Sequence, residues 1–258
     1  MKTIWIETDR SDLSFLERVD VFSDAVILCR KASRWFDDDV PEILQELDNK
    51  GVKSHLAVNL CFAHYAHPDD NPYVTPPQFF DILDPSHRAH MVNSVAEIEQ
   101  RYGRPIQLDY VRSGVAGYDE DFTYRNAMAL LLHQIRKATS VELSVCTFPT
   151  FPILNPQYLA WGIDVERWFR EGSIDWAFDM NYVYPGHDKW SDIHNRTRGA
   201  KELGRCYTLG GCYKKPSESM TAEEFESVIG ALEAYDGYGI YPHQFFTDEH
   251  AEIMQRWR

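Results

Sequence analysis

Asp109 and Arg112 are the residues whose types and spacing most directly suggest chemistry in this chain. They stand at the end of the run 106–112, Ile-Gln-Leu-Asp-Tyr-Val-Arg. Apolar Ile106 and Leu108 alternate with polar Gln107 and Asp109, which predicts a buried strand. A carboxylate and a guanidinium at the exit of a core strand are costly to bury unless they are hydrogen-bonded. The pair therefore indicates either a reactive site or a structural ion pair.

The predicted strands and helices that must position this pair alternate regularly along the chain. Eight strand-like runs lie at 3–8, 25–30, 53–62, 106–112, 142–148, 174–182, 205–212 and 238–245. Helical patterns lie at 40–49, 87–102, 121–137 and 221–235, and further ones at 13–19, 161–171, 191–203 and 248–257. This alternation within 258 residues predicts the α/β class, with one (β/α)8 TIM barrel domain spanning residues 1–258. An open doubly wound sheet is the alternative, but no G-x-G-x-x-G follows the first strand.

Composition narrows the classes of partner. The chain has 26 Lys and Arg against 40 Asp and Glu, a net charge of -14, which argues against nucleic acid and anionic membrane surfaces. No segment approaches ~18 consecutive apolar residues, and no secretory apolar region opens the chain. A cytoplasmic location is therefore expected, with a trimmed secretory signal as the alternative. Five cysteines without a C-x-x-C pair predict buried thiols in a reducing compartment. The sequence does not indicate an oligomeric state.

A TIM barrel places its active site at the carboxyl ends of the strands, which turns the strand positions into candidate site residues. The candidate catalytic carboxylates are Asp109, Asp179 and Glu7. The candidate substrate-binding residues are Arg112, Asn59, His64, Asn181, Tyr182, Tyr184, Tyr241 and His243. Acids, amides and aromatic rings together suit a carbohydrate, because sugar C–H faces pack on rings while hydroxyls bind polar side chains. No Ser-His-Asp arrangement or phosphate-binding loop is present, and no cofactor is expected.

The histidines do not form a recognisable metal-binding pattern. His64 and His67 are three residues apart in a predicted loop, without a carboxylate at fixed spacing. The first strand ends in Glu7-Thr8-Asp9, not in a His-x-His pair. No metal site is therefore predicted. A metal-dependent hydrolase or isomerase would require His64 or His67, His243 and an acid to converge on one point.

Two segments carry a family resemblance. The run 106–112 resembles the Ile-Gln-x-Asp-Tyr-x-Arg element on the fourth strand of a glycoside-hydrolase-like TIM-barrel family. The stretch Met-Asn-Tyr-Val-Tyr-Pro-Gly-His at 180–187 is similar to the Met-x-Tyr element on that family's sixth strand. The two elements cover a small part of the chain and occur in the family's order. The resemblance implies a glycoside hydrolase with Asp109 in its catalytic site.

Glycosidic cleavage in most families uses two carboxyl groups, one as the acid and one as the nucleophile or base. Asp109 is the expected nucleophile or stabilising carboxylate, with Arg112 favouring its charged form. For the acid, Asp179 is the first choice and Glu7 the second, and a third set is Asp119, Glu120 and Asp121. The alternatives are a carbohydrate-binding barrel without catalysis, a metal-dependent enzyme on the same fold, and a structural or interaction subunit.

Overall fold

A computed structural model describes residues 1–7, 14–31, 34–35, 40–64, 78–113, 123–147, 161–182, 184–186, 206–215, 218–233 and 237–257. Within these residues, eight parallel strands follow one another around a sheet that closes where the first pairs with both the last and the second. The strands are β1 (Lys2–Glu7), β2 (Asp24–Lys31), β3 (Lys53–Asn59), β4 (Ile106–Asp109), β5 (Leu143–Thr147), β6 (Trp176–Asn181), β7 (Cys206–Gly211) and β8 (Tyr238–Tyr241). The predicted (β/α)8 barrel is confirmed.

Helices cover the outside of this barrel. They are α1 (Val40–Lys50), α2 (Pro85–Tyr102), α3 (Thr123–Ala138), α4 (Val165–Arg170), α5 (Ala222–Leu232) and α6 (Asp248–Arg256). The predicted helix 13–19 is instead a 3-10 helix, Ser14–Val21, and the predicted helix 161–171 is the shorter α4. The predicted helix 191–203 lies outside the described residues. At α5, the Thr221 hydroxyl accepts from the Glu224 N–H and the Glu224 carboxylate accepts from the Thr221 N–H, which forms a capping box.

Two predicted strands end earlier than the apolar pattern indicates. The run 53–62 leaves the barrel after Asn59, and the run 106–112 leaves it after Asp109. The chain after β3 forms a short strand, Phe62–His64, that pairs antiparallel with Gln78–Phe79. Residues 65–77, between these two short strands, lie outside the described residues.

The alternation of side chains along each strand separates two apolar clusters. The larger cluster packs the outer face of the barrel against the helices and contains, for example, Ile4, Leu108 and Ala177. The smaller cluster fills the barrel interior and consists of Trp5, Val26, Leu28, Ala57, Cys146, Trp176, Phe178 and Leu209. Its residues come from all the strands except β4 and β8. The interior is thus a packed core, as in other TIM barrels.

Polar side chains line the amino-terminal end of the interior. His55 Nε2 lies 3.0 Å from Asp24 Oδ1, and both residues are buried. The Ser144 hydroxyl donates to Gln107 Oε1 on the next strand. These contacts give hydrogen-bond partners to polar side chains that would be costly to bury without them. They lie at the opposite end of the barrel from Asp109.

Gly239 on β8 is required by the packing of the interior. A Cβ at this position would lie 2.8 Å from Leu209 Cδ1 and 3.3 Å from Phe178 Cε1. Gly239→Ala is therefore expected to lower the free energy of unfolding by about 1–3 kcal/mol through overpacking, measured by urea denaturation. Gly230→Ala in α5 is the control, because its Cβ would meet Trp257 at an ordinary 3.6 Å. That variant should be as stable as the parent or more stable, and equal stability of both variants would contradict the packing argument.

The cysteines behave largely as predicted. Cys29, Cys61, Cys146 and Cys212 are buried and are not in disulfide bonds, and the side chain of Cys206 lies outside the described part of the chain. Among the helices that the structure describes, none combines the length and the apolar character needed to cross a membrane.

Candidate active site

Asp109 occupies the carboxyl-terminal end of β4, at the mouth of the barrel. It is in register with Asn59 on β3, and its carbonyl accepts a 2.8 Å hydrogen bond from the Leu60 N–H. Asp109 shares the inward-facing alternation of Gln107, whose amide oxygen bonds Ser144 inside the barrel. Its carboxylate Oδ1 accepts a 2.8 Å hydrogen bond from the Tyr110 N–H, and the residue is half-buried. A partly exposed carboxylate with a fixed orientation therefore stands at the open end.

Three tyrosines form an aromatic wall at the same end, which we call the tyrosine cluster: Tyr182, Tyr213 and Tyr241. The ring of Tyr182 lies 5.3 Å from that of Tyr241 and 6.3 Å from that of Tyr213, between ring centroids. Trp5 meets Tyr241 edge to face from below at 6.3 Å. Each of the three tyrosines is half-buried.

Asp109 and the tyrosine cluster interact electrostatically. Burial raises the pKa of Tyr182 well above its ordinary range, and the negative charge of the Asp109 carboxylate acts in the same direction. The Tyr182 phenol is therefore protonated at neutral pH and can donate a hydrogen bond. The mouth thus combines one carboxylate with a phenol donor and apolar ring surface.

Arg112 lies beside this site within a group of aromatic rings. Its guanidinium carbon is 5.1 Å from the centroid of the Tyr110 ring, 5.9 Å from Phe79 and 6.0 Å from Trp161. These are cation–π distances. Burial raises the pKa of the neighbouring Cys61 thiol to about 12, although the charge and backbone N–H of Arg112 act in the opposite direction. Arg112 is thus anchored by rings from three separate loops.

Asp179 does not lie on the face of β6 that was expected. Trp176 and Phe178 belong to the interior cluster, so Ala177 and Asp179, which alternate with them, face the helices. Asp179 is fully buried. Asn181 is in register with Gly210, where an added Cβ would meet Leu232 and Val228 of α5. The placement of Asp179 and Asn181 at the mouth is therefore corrected, because the strand's alternation turns both outward.

Several predicted site residues are only partly described. Glu7 is the last residue of β1 and is in register with Leu28 of the interior cluster. His64 ends the short strand after β3. The side chains of Glu7 and His64 lie outside the described part of the structure, as do residues His67, Asp119, Glu120 and Asp121.

Other predicted residues lie away from the tyrosine cluster. His243 is buried, and its ring is 4.3 Å from that of Phe15 in the 3-10 helix after β1. Tyr184 packs against the outer core, not the interior cluster. Asn59 is buried next to Asp109, and its Oδ1 has no hydrogen-bond partner among the described residues. Asn59 is thus brought to Asp109, whereas His243 and Tyr184 are placed with the core.

Three residues outside the candidate substrate-binding set also lie at this end of the barrel. Trp5 and Met180 lie under the tyrosine cluster, and Tyr213 completes it. Side chains alternate between the two faces of β1 and β6. This alternation would have indicated Trp5 and Met180 if the sequence had shown which face of each strand points into the barrel. Within the described residues, no three or more His, Cys, Asp or Glu side chains are grouped so that they could hold a metal ion.

Comparisons with known proteins extend the fold assignment. No protein-family model matches the chain, and no curated protein matches it by sequence. Among solved structures, the glycoside hydrolase domain of PgaB (BpsB) from Bordetella bronchiseptica superposes with a TM-score of 0.70 at 9% identity, over 98% of this chain and 97% of that chain. A GH18 chitinase from Pseudoalteromonas aurantia gives 0.63 at 13% identity, over 99% and 98%. A xylanase-A-amylase inhibitor protein, XAIP-III, gives 0.58 at 13% identity, over 98% and 97%. At these identities the likeness establishes the fold alone, which is the TIM barrel that these proteins share.

Proposed function

We propose that this protein is a glycoside hydrolase and that Asp109 is one of its catalytic carboxylates. The observation that carries the proposal is the position of Asp109, a half-buried carboxylate at the barrel mouth whose charge acts on Tyr182 of an aromatic wall. Glycosidic cleavage in most families uses a pair of carboxyl groups at the scissile bond, and Asp109 would supply one of them. The likeness in fold to the PgaB glycoside hydrolase domain and to a GH18 chitinase supports the same function.

In this proposal each group at the mouth has a defined role. Asp109 stabilises the positive charge that develops at the anomeric carbon, as a nucleophile or as an electrostatic partner. The protonated Tyr182 phenol donates a hydrogen bond to a substrate oxygen next to that carbon. The rings of the tyrosine cluster pack against the C–H face of the sugar. Asn59, buried beside Asp109, offers an amide for a hydroxyl.

Glu7 is the proposed second carboxylate. Asp179 faces the helices, so it is not available at the mouth. Glu7 ends β1, which is three strands away from β4 around the eight-stranded barrel, so the two strand ends lie on nearly opposite sides of the mouth. A carboxyl group there would approach the bond from the side opposite Asp109, the arrangement that acid and base or nucleophile require.

A carbohydrate-binding protein without hydrolytic activity is the second candidate. The side chain of Glu7, the proposed partner of Asp109, lies outside the described part of the structure, and a single carboxylate would suit binding without cleavage. The inhibitor protein XAIP-III shares this fold, and a fold by itself does not determine activity. In both candidates the ligand is a neutral carbohydrate, which the net charge of -14 also favours. The four described thiols, which are buried and not in disulfide bonds, support a reducing compartment.

The test is a hydrolysis assay that separates the two candidates. Purified protein is incubated with chitin oligosaccharides, xylan and mannan, and new reducing ends are measured together with binding by calorimetry. We expect new reducing ends from at least one substrate, and Glu7→Gln should lower that rate by about 10²–10⁴-fold without weakening binding. Binding without product would favour the carbohydrate-binding protein. Full activity of Glu7→Gln would remove Glu7 as the second carboxylate.

A further inference from the structure

The orientation of the Asp109 carboxylate depends on how the chain leaves β4. Ile106 donates its N–H to the Glu142 carbonyl in the ladder that joins β4 to β5. If β4 continued, the Tyr110 N–H would remain in that ladder. Instead the strand ends at Asp109, and the Tyr110 N–H donates to Asp109 Oδ1 at 2.8 Å. The carboxylate is therefore held by the first residue after the strand.

Tyr110 ends the strand by adopting a left-handed backbone conformation. Its φ is +53°, and no other non-glycine residue in the described ranges has a positive φ. A bulky L-residue rarely adopts this conformation, because its Cβ crowds the backbone. Such a conformation persists only where surrounding contacts hold it. The contacts around Tyr110 must therefore hold it in this conformation.

Arg112 supplies contacts to both the ring and the backbone of Tyr110. Its guanidinium lies 5.1 Å from the Tyr110 ring centroid, and its N–H donates a 2.9 Å hydrogen bond to the Tyr110 carbonyl. The same guanidinium also lies over Phe79 and Trp161, at 5.9 Å and 6.0 Å. The Trp161 carbonyl in turn accepts a 2.8 Å bond from the Ser113 N–H, so the turn is tied on both sides.

We propose that Arg112 is a positioning residue, which holds Tyr110 in its left-handed turn through its ring contacts and thereby aims the Asp109 carboxylate into the mouth. The proposal rests on the proposed function only in assigning Asp109 a catalytic role. It gives Arg112 a part different from substrate binding: Arg112 acts through Tyr110, and Phe79 and Trp161 hold Arg112 in place.

The first test needs no substrate. Crystal structures of Arg112→Met and of the double variant Tyr110→Gly/Arg112→Met are compared with the parent. Without the guanidinium, the Tyr110 backbone should leave the left-handed region, and its N–H should no longer donate a hydrogen bond to Asp109 Oδ1. In the double variant the turn should persist, because glycine adopts a positive φ without steric cost. A parent-like turn at Tyr110 in Arg112→Met would overturn the proposal. Arg112→Lys, which keeps the charge but not the planar stacking, gives the same readout if Arg112→Met does not fold.

The second test is kinetic, on the oligosaccharide that the hydrolysis assay identifies. Arg112→Met should lower kcat by about tenfold or more with little change in KM, because a small displacement of a reacting group is costly while binding contacts remain. Arg112→Lys should recover part of that loss. In the Tyr110→Gly background, Arg112→Met should have a much smaller effect, because the turn no longer depends on Arg112.

Arg101→Met is the matched control, since its guanidinium lies 5.4 Å from the Tyr102 ring at the end of α2 and away from the mouth. It should leave kcat unchanged. An equal loss from Arg112→Met in both backgrounds, or a rise in KM alone, would show that Arg112 contacts substrate directly and would overturn the positioning role. Failure of the proposed function has a different signature: Asp109→Asn would keep the parent rate while the crystallographic result still stood.

Discussion

Asp109→Asn is expected to lower the rate of glycosidic hydrolysis by about 10²–10⁴-fold, the range that a positioned catalytic group contributes. Asparagine keeps the shape of the side chain and can still accept the 2.8 Å hydrogen bond from the Tyr110 N–H. It cannot carry the negative charge that stabilises a cationic transition state. The measurement is kcat from reducing-end release, together with substrate affinity from calorimetry, which should change far less than kcat.

The control for this variant is Asp48→Asn. Asp48 pairs with Arg104 at 2.5 Å on the surface, next to the turn that precedes β3, at the amino-terminal end of the barrel. Both variants remove one carboxylate, so a shared loss of activity would point to net charge and not to the site. A parent-like kcat in Asp109→Asn, with the fold intact by circular dichroism, would remove Asp109 from the catalytic machinery.

His55→Leu is expected to produce the largest loss of stability, about 3–5 kcal/mol in the free energy of unfolding. His55 is fully buried, and its Nε2 lies 3.0 Å from Asp24 Oδ1. Leucine fills similar space but leaves the Asp24 carboxylate buried without its histidine partner. Urea denaturation measures the change. Arg104→Leu is the control, because it breaks a surface ion pair and should cost about 0–1 kcal/mol. If both variants lost a similar amount of unfolding free energy, burial of the unpaired Asp24 carboxylate could not be the cause of the larger effect.

The same pair should make stability depend on pH. Burial alone would raise the pKa of Asp24, but hydrogen bonds from His55 and Ser23 and the charges of His55 and Lys53 outweigh burial, so the pKa is lowered. A lowered pKa means that the stabilisation is fully present above the ordinary Asp value of about 3.9 and is lost as pH falls through the folded-state value. The stability difference between the parent and His55→Leu should therefore narrow below about pH 4. A difference that stays constant from pH 7 to pH 3 would exclude this linkage.

The sequence by itself predicted the barrel and the position of an acid at the end of β4. The repeated alternation of short apolar runs with amphipathic segments is a local property, and it predicts the eight strands, the capped helix after Thr221 and the parallel order. The sequence also predicts that Asp109 lies at the end of a strand, because the alternation of apolar and polar residues in the run 106–112 is a local pattern.

Only the tertiary structure decided which face of each strand points inward. In β6 the order Trp-Ala-Phe-Asp-Met-Asn alternates, but the sequence does not show which set of residues enters the barrel. The interior of this barrel takes the large apolar rings of Trp176 and Phe178, so Asp179 faces the helices. Because side chains alternate along a strand, either of two sets of residues could point inward, and closure of the sheet determines which set does.

The tertiary structure also decided what Arg112 contacts. Spacing alone suggested an ion pair with Asp109, because the two residues are three apart. The rings around the guanidinium come from Phe79, Tyr110 and Trp161, which are far apart in the chain and meet only because parallel strands deliver their loops to the same end of the barrel. Contacts between loops of distant strands depend on closure of the barrel, and no local pattern encodes them.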